Sequence, residues 1–169
     1  PTISISNDTS ICVGESVTLS ANGGTNYTWS NNVTSPSITV SPTINTTYSV
    51  TVSDGNSCTS TANVIVTVNP TPNFTLSNDT AICVGNNVIL RTGNAVNTNY
   101  VWSNNSVGNV ISVSPTATTD YIVTGTNSFG CDLTDTVTVT VNFGNPINIG
   151  ADTLLNFGDS AVFDAGAGF

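Results

Sequence analysis

The chain is predicted to be all-β and to fold as successive two-sheet sandwich units, on three observations. Val, Ile and Thr abound while Glu, Lys, Arg, Met and Gln are nearly absent, a balance that favours strands over helices. Short runs alternate apolar and polar residues, and Gly, Asn, Asp and Pro separate them. The sequence also repeats itself. Ser6-Asn7-Asp8-Thr9-Ser10-Ile11-Cys12-Val13-Gly14 returns as Ser77-Asn78-Asp79-Thr80-Ala81-Ile82-Cys83-Val84-Gly85, at an offset of 71. Trp29-Ser30-Asn31-Asn32 returns as Trp102-Ser103-Asn104-Asn105, at an offset of 73 that holds onward through Tyr48/Tyr121, Cys58/Cys131 and Val68/Val141. A period of this size marks a tandem architecture.

The repeat sets the expected organisation: a first unit over 1–70, a second over 71–143, and an incomplete start of a third over 144–169. In the third, Asp152-Thr153 and Gly158 follow Asp79-Thr80 and Gly85 at an offset of 73, but Asn156 stands at the cysteine position. So short a piece cannot bury a core alone. It is expected either to continue beyond Phe169, the favoured reading, or to insert into another molecule as a donated strand pair.

Within unit one the strands read in order. Ser16–Ser20 puts Val17 and Leu19 on one face, Tyr27–Ser30 contributes Trp29, and Ser37–Val40 ends at Ser41-Pro42. Thr47–Ser53 turns Tyr48, Val50 and Val52 inward. Asp54-Gly55 signals a hairpin, and Thr61–Val68 turns Val64, Val66 and Val68 inward. In unit two Val137, Val139 and Val141 face in while Thr136, Thr138 and Thr140 face out. About seven short strands with one early Trp and one late Tyr predict an immunoglobulin-like sandwich. Leu19 and Val50 occupy the positions where an antibody domain has its core cysteines, so apolar packing replaces the inter-sheet bond.

The four cysteines lie elsewhere: Cys12, Cys58, Cys83 and Cys131. Since the repeat copies both positions, pairing within units is the simplest connectivity, Cys12–Cys58 and Cys83–Cys131. Each bridge would close about 46–48 residues and add about 4 kcal/mol in the chain-entropy model. It would also imply an oxidising location outside the cytoplasm.

Composition removes several functions. There is one Lys+Arg, which is Arg91, against ten Asp+Glu, no His, and a formal net charge of −9 with only 7% of residues charged. No basic patch exists for nucleic acid or an anionic membrane surface. No imidazole base, His-ligated metal or Schiff-base lysine can be built. Yet 38% hydrophobic residues and a mean hydropathy of +0.14 are not the signature of disorder. No run is long enough for a membrane span.

Further residues invite closer reading. Asp8, Asp79 and Asp152 form the one acidic position kept in all three copies. They read as Asx-type turns capping the Thr-Ser-Ile or Thr-Ala-Ile stretch. The competing reading is a calcium site with Asp54, Glu15 and Asp159, though no dense acidic loop is present. Asp132 and Asp135 are a carboxylate pair, but Thr59 and Ala62 hold the matching positions of unit one, and no catalytic residue is assigned. The outward Thr ladders suit exposed strands; they also admit a carbohydrate-binding reading.

The stretches Ser6 to Gly24, Tyr27 to Asn32, Ser37 to Cys58 and Val64 to Val68 resemble the tandem immunoglobulin-like (PKD-like) repeats of very large Bacteroidetes cell-surface proteins. Those proteins leave the cell by type IX secretion and include gliding adhesins. The resemblance spans both full units and the start of the third. It implies a non-enzymatic stalk or filament segment of an extracellular adhesin, whose partners are neighbouring repeats, other copies in a filament, or glycans. A glycan-binding module or an accessory region of a secreted enzyme are the alternatives. Asp79-Thr80-Ala81, Asp135-Thr136-Val137, Asp152-Thr153-Leu154 and Asp159-Ser160-Ala161 resemble the Asp-Ser/Thr-apolar O-glycosylation motif of exported proteins from that group. The linkers Asn69-Pro70-Thr71-Pro72 and Gly144-Asn145-Pro146 are expected to hold neighbours as a semi-rigid rod.

Overall fold

A computed structural model describes residues 1–93 and 95–144. The expected third unit, with Asp152, Thr153, Asp159 and Ser160, lies outside the described residues. Those described form thirteen strands and no helix. The first seven are β1 (Ser4–Ile5), β2 (Thr9–Cys12), β3 (Val17–Asn22), β4 (Asn26–Trp29), β5 (Ser37–Val40), β6 (Thr46–Ser53) and β7 (Thr59–Asn69). They make a sheet in the order β2-β7-β6-β4 and a second in the order β1-β3-β5. The remaining six are β8 (Thr80–Cys83), β9 (Val88–Arg91), β10 (Thr98–Trp102), β11 (Val110–Val113), β12 (Thr119–Asn127) and β13 (Asp132–Asn142). They repeat the plan as β10-β12-β13-β8 and β11-β9, with a bridge from Leu76 to Thr92 in place of β1. All pairings are antiparallel except β2 with β7 and β8 with β13, which are parallel.

Each pair of sheets closes over its own core. Leu19, Val50, Val52, Val64 and Val66 are fully buried in the first, around Trp29. Leu90, Val123, Val137 and Val139 surround Trp102 in the second. Leu19 and Val50 pack in one cluster with Trp29, so aliphatic contact fills the space of an inter-sheet cystine. Each indole N–H is satisfied by a loop carbonyl, Trp29 Nε1 by Ser35 at 2.8 Å and Trp102 Nε1 by Gly108 at 3.0 Å. The repeated Trp-Ser-Asn-Asn is a strand-ending turn. Its second Asn adopts left-handed backbone, Asn32 at φ 66° and Asn105 at φ 64°, which Asn tolerates better than most residues. The outward threonines pair across strands, Thr18 with Thr39 at 3.0 Å and Thr51 with Thr61 at 3.2 Å, as cross-strand hydroxyls do.

Two local expectations are revised. The stretch after Asp8 is not an Asx turn: Thr9–Cys12 is strand β2, running parallel to β7 with Ile11 buried. Asp8 Oδ1 accepts the N–H of Ile65 at 2.8 Å, 57 residues away, and Asp79 Oδ1 accepts that of Thr138 at 2.8 Å. Two residues earlier, Ser6 exchanges hydrogen bonds with Ser20 on β3, and Ser77 does so with Arg91 on β9. The repeated Ser-Asn-Asp-Thr is therefore a switch. Its serine holds the chain to one sheet and its aspartate hands it to the other. The β6–β7 hairpin forms as expected, but its left-handed residue is Ser57 at φ 63°, with Gly130 at φ 80° in the second unit, and not Gly55.

Candidate functional site: the junction between units

The parallel edge strands decide where the cysteines lie. Cys12 ends β2 opposite Asn69, the last residue of β7, whereas Cys58 immediately precedes Thr59, the first. At about 3.3 Å per residue the two ends of this 11-residue strand stand roughly 33 Å apart. Cys83 opposite Asn142 and Cys131 before Asp132 are separated in the same way along β13.

The within-unit pairing expected from the repeat is thereby overturned. The disulfide joins Cys12 to Cys131, with Cα atoms 5.6 Å apart and a sequence separation of 119. That span lies within ordinary cystine geometry, which ends near 7 Å. Cys58 and Cys83 are free and exposed. The bond crosses from the end of β2 in the first unit to the β12–β13 hairpin of the second.

That hairpin is built to meet the linker. Asn127 Oδ1 accepts the N–H groups of Phe129 and Cys131, each at 3.0 Å, which folds the turn. Its Nδ2 donates to the carbonyl oxygen of Pro70 at 2.7 Å. Cys131 is fully buried there. Pro72 is buried as well. Phe129, from the same hairpin, lines a shallow depression with Asp8, Thr9, Ser10, Thr67 and Asn69 of the first unit. Three attachments thus converge on one contact: the covalent chain, the disulfide and the Asn127–Pro70 hydrogen bond.

Of the other candidate residues, Asp8 and Glu15 border this contact, and Asp54 folds the β6–β7 turn. Glu15 Oε2 accepts the N–H of Cys12 at 2.8 Å, and Asp54 Oδ1 accepts those of Asn56 and Cys58. Among the described residues no three His, Cys, Asp or Glu come together as a metal site. Asp132 and Asp135 are exposed on β13, and Asp135 accepts the N–H of Thr136. Of the glycosylation candidates, Thr136 is exposed and Thr80 half-buried at the start of β8. The junction itself was missed by sequence reasoning. No local signal marks it, because Cys12 reaches the far end of β7 from Cys58 only through the parallel pairing of β2.

No family model and no curated protein sequence matches the chain. Solved structures of immunoglobulin tandems align with it weakly. The paired IG1 and IG2 domains of DIP-gamma align over 83% of this chain and 98% of theirs, at 12% identity and a TM-score of 0.36. The insect immune protein hemolin aligns over 82% of this chain at 16% identity and a TM-score of 0.41, the match spanning 46% of hemolin. A three-domain titin segment gives 12% identity over 83% of this chain and 66% of its own length, with a TM-score of 0.39. The strands and the two cores define the sandwich architecture by themselves.

Proposed function

We propose that the two units are a structural spacer, a stiff segment of an extracellular surface stalk, adhesin or filament, with no catalytic role of their own. The observation that carries this reading is the disulfide that crosses the junction. A bond inside a unit protects that unit alone, whereas Cys12–Cys131 restrains the angle between units. Pro70 and Pro72 restrict the linker that remains. Surface chemistry supports the same reading: neutral Thr, Ser and Asn coat the strands, and a net charge of −9 with one cation favours mutual repulsion over clustering. A disulfide suits an oxidising compartment. On this reading the Asp-Ser/Thr-apolar sites at Thr80, Thr136, Thr153 and Ser160 carry O-glycans, and an intact mass equal to the bare sequence would end that part.

The test is stiffness. Dyes placed on the exposed loops at Ile44 and Thr116 should report a narrow distance distribution in the oxidised chain and a broader one after reduction. An equally broad distribution in both states would remove the spacer reading. Labelling of the native protein on intact cells tests the surface location separately.

A further inference from the structure

The junction uses one cysteine from each unit, and each unit carries a second cysteine that this chain leaves unbonded. Cys83 is the repeat counterpart of the bonded Cys12, and the structure sets it in the same frame. Cys83 lies opposite Asn142 as Cys12 lies opposite Asn69. The next N–H donates across the pair in both, Val84 to Asn142 O and Val13 to Asn69 O, each at 3.0 Å. Asn86 N–H reaches back to Cys83 O as Glu15 N–H does to Cys12 O.

Cys58 is likewise the counterpart of the bonded Cys131. Its N–H donates to Asp54 Oδ1 at 3.0 Å, matching Cys131 to Asn127 Oδ1. The hairpin below it closes through Asp54 N–H to Cys58 O as the other closes through Asn127 N–H to Cys131 O. A single exposed thiol would say nothing about a partner. Here both free thiols sit in the geometry of a half-junction whose complete form is present in the same molecule.

We propose that Cys58 and Cys83 are the two open halves of that junction. Cys83 bonds the hairpin cysteine of another domain of this kind, and Cys58 bonds the strand cysteine of another. Each lies at the end of its unit remote from the Cys12–Cys131 contact, since each is set an 11-residue strand away from it. One chain therefore cannot join its own two free thiols. Joining them takes a second copy, head to tail, and a head-to-tail contact that does not close extends as a filament. In each bond two thiols lose two protons and two electrons. A small-molecule disulfide accepts the electrons and is itself reduced to two thiols. The inference does not depend on what the two units hold out.

The experiment uses the full chain with Cys12–Cys131 intact, treated with oxidised glutathione and separated without reductant. The expected product is a ladder of dimers and higher multimers whose linking peptides join Cys58 to Cys83. Cys58→Ser and Cys83→Ser should each stay monomeric alone, while an equal mixture of the two should give a dimer and stop there. Single variants that dimerise as readily as the mixture would overturn the proposal. So would a wild-type chain that stays monomeric with both thiols capped by glutathione, or a peptide map showing Cys12–Cys58 and Cys83–Cys131.

Discussion

Replacing Cys12 and Cys131 together by serine removes the crossing bond without leaving an odd thiol, and its effect can be worked from the junction. While the second unit is folded, Asn127 holds its hairpin to Pro70, and Cys131 Sγ lies 4.0 Å from Asn69 O. Unfolding the first unit alone then frees a chain tethered at Cys12 and at Asn69. That loop of roughly 57 residues loses about 4 kcal/mol of unfolded-state entropy. Unfolding the second unit alone frees the span from Asn69 to Cys131, a separation of 62, again about 4 kcal/mol. Unfolding both frees the whole 119-residue loop, for about 5 kcal/mol. Most of the stabilisation therefore acts on whichever unit unfolds first, and about 1 kcal/mol remains for the second. The bond should raise the first threshold and merge the two events.

Urea unfolding checks this, followed by fluorescence of Trp29 and Trp102, one in each core. The parent carries serine at positions 58 and 83 to prevent exchange, and the test chain carries serine at all four. One transition is expected for the parent. Two are expected for the test chain, the earlier one lower by roughly 2–4 M at the usual dependence of stability on urea. An unchanged midpoint, or two well-separated transitions in the parent, would refute the coupling.

Asp8→Ala should cost about 1 kcal/mol by leaving the Ile65 N–H without its acceptor, and amide exchange at Ile65 should quicken, whereas Asp8→Asn keeps the bond and should restore protection. Gly125→Val sets a Cβ 2.7 Å from Phe74 Cε1, whose ring stands edge-on to Tyr100 at 5.2 Å. It should destabilise the second unit by about 1–3 kcal/mol. Phe74→Ile should relieve it, because the first unit has Ile3 and Val52 at the same places of its own core; additivity of the two changes in denaturation would refute the compensation. Trypsin has one target, Arg91, whose N–H and C=O are both bonded to Ser77 while β11 pairs its other side. The folded chain should resist cleavage that proceeds in urea, as a gel time course would show.

The sandwich was legible because its signals are local. Val64, Val66 and Val68 alternate with their neighbours in plain view, and Trp29, Leu19 and Val50 stand where a buried pin belongs. What escaped reading depends on partners far along the chain. Asn7-Asp8-Thr9 looks like a turn by its own chemistry. It becomes a strand switch only because Ile65, 57 residues on, offers an N–H to Asp8. The disulfide failed for a related reason. A repeat that copies two cysteines is satisfied equally by bonds within units and by bonds between successive units. Only the parallel register of β2 on β7, which puts Cys12 beside Asn69, separates the two.

The Cys12–Cys131 bond also redraws the load path through the chain. Once the strand pairings give way, tension between Pro1 and Asn142 runs through the covalent chain from Cys12 straight to Cys131 and bypasses residues 13–130. The 119-residue loop left aside would otherwise pay out roughly 400 Å when drawn straight. The loaded path still includes β13, whose Val137, Val139 and Val141 are buried, so the bond caps the extension without taking the load off the second core. Under force such a molecule cannot lengthen beyond the short covalent path that the bond leaves in the load.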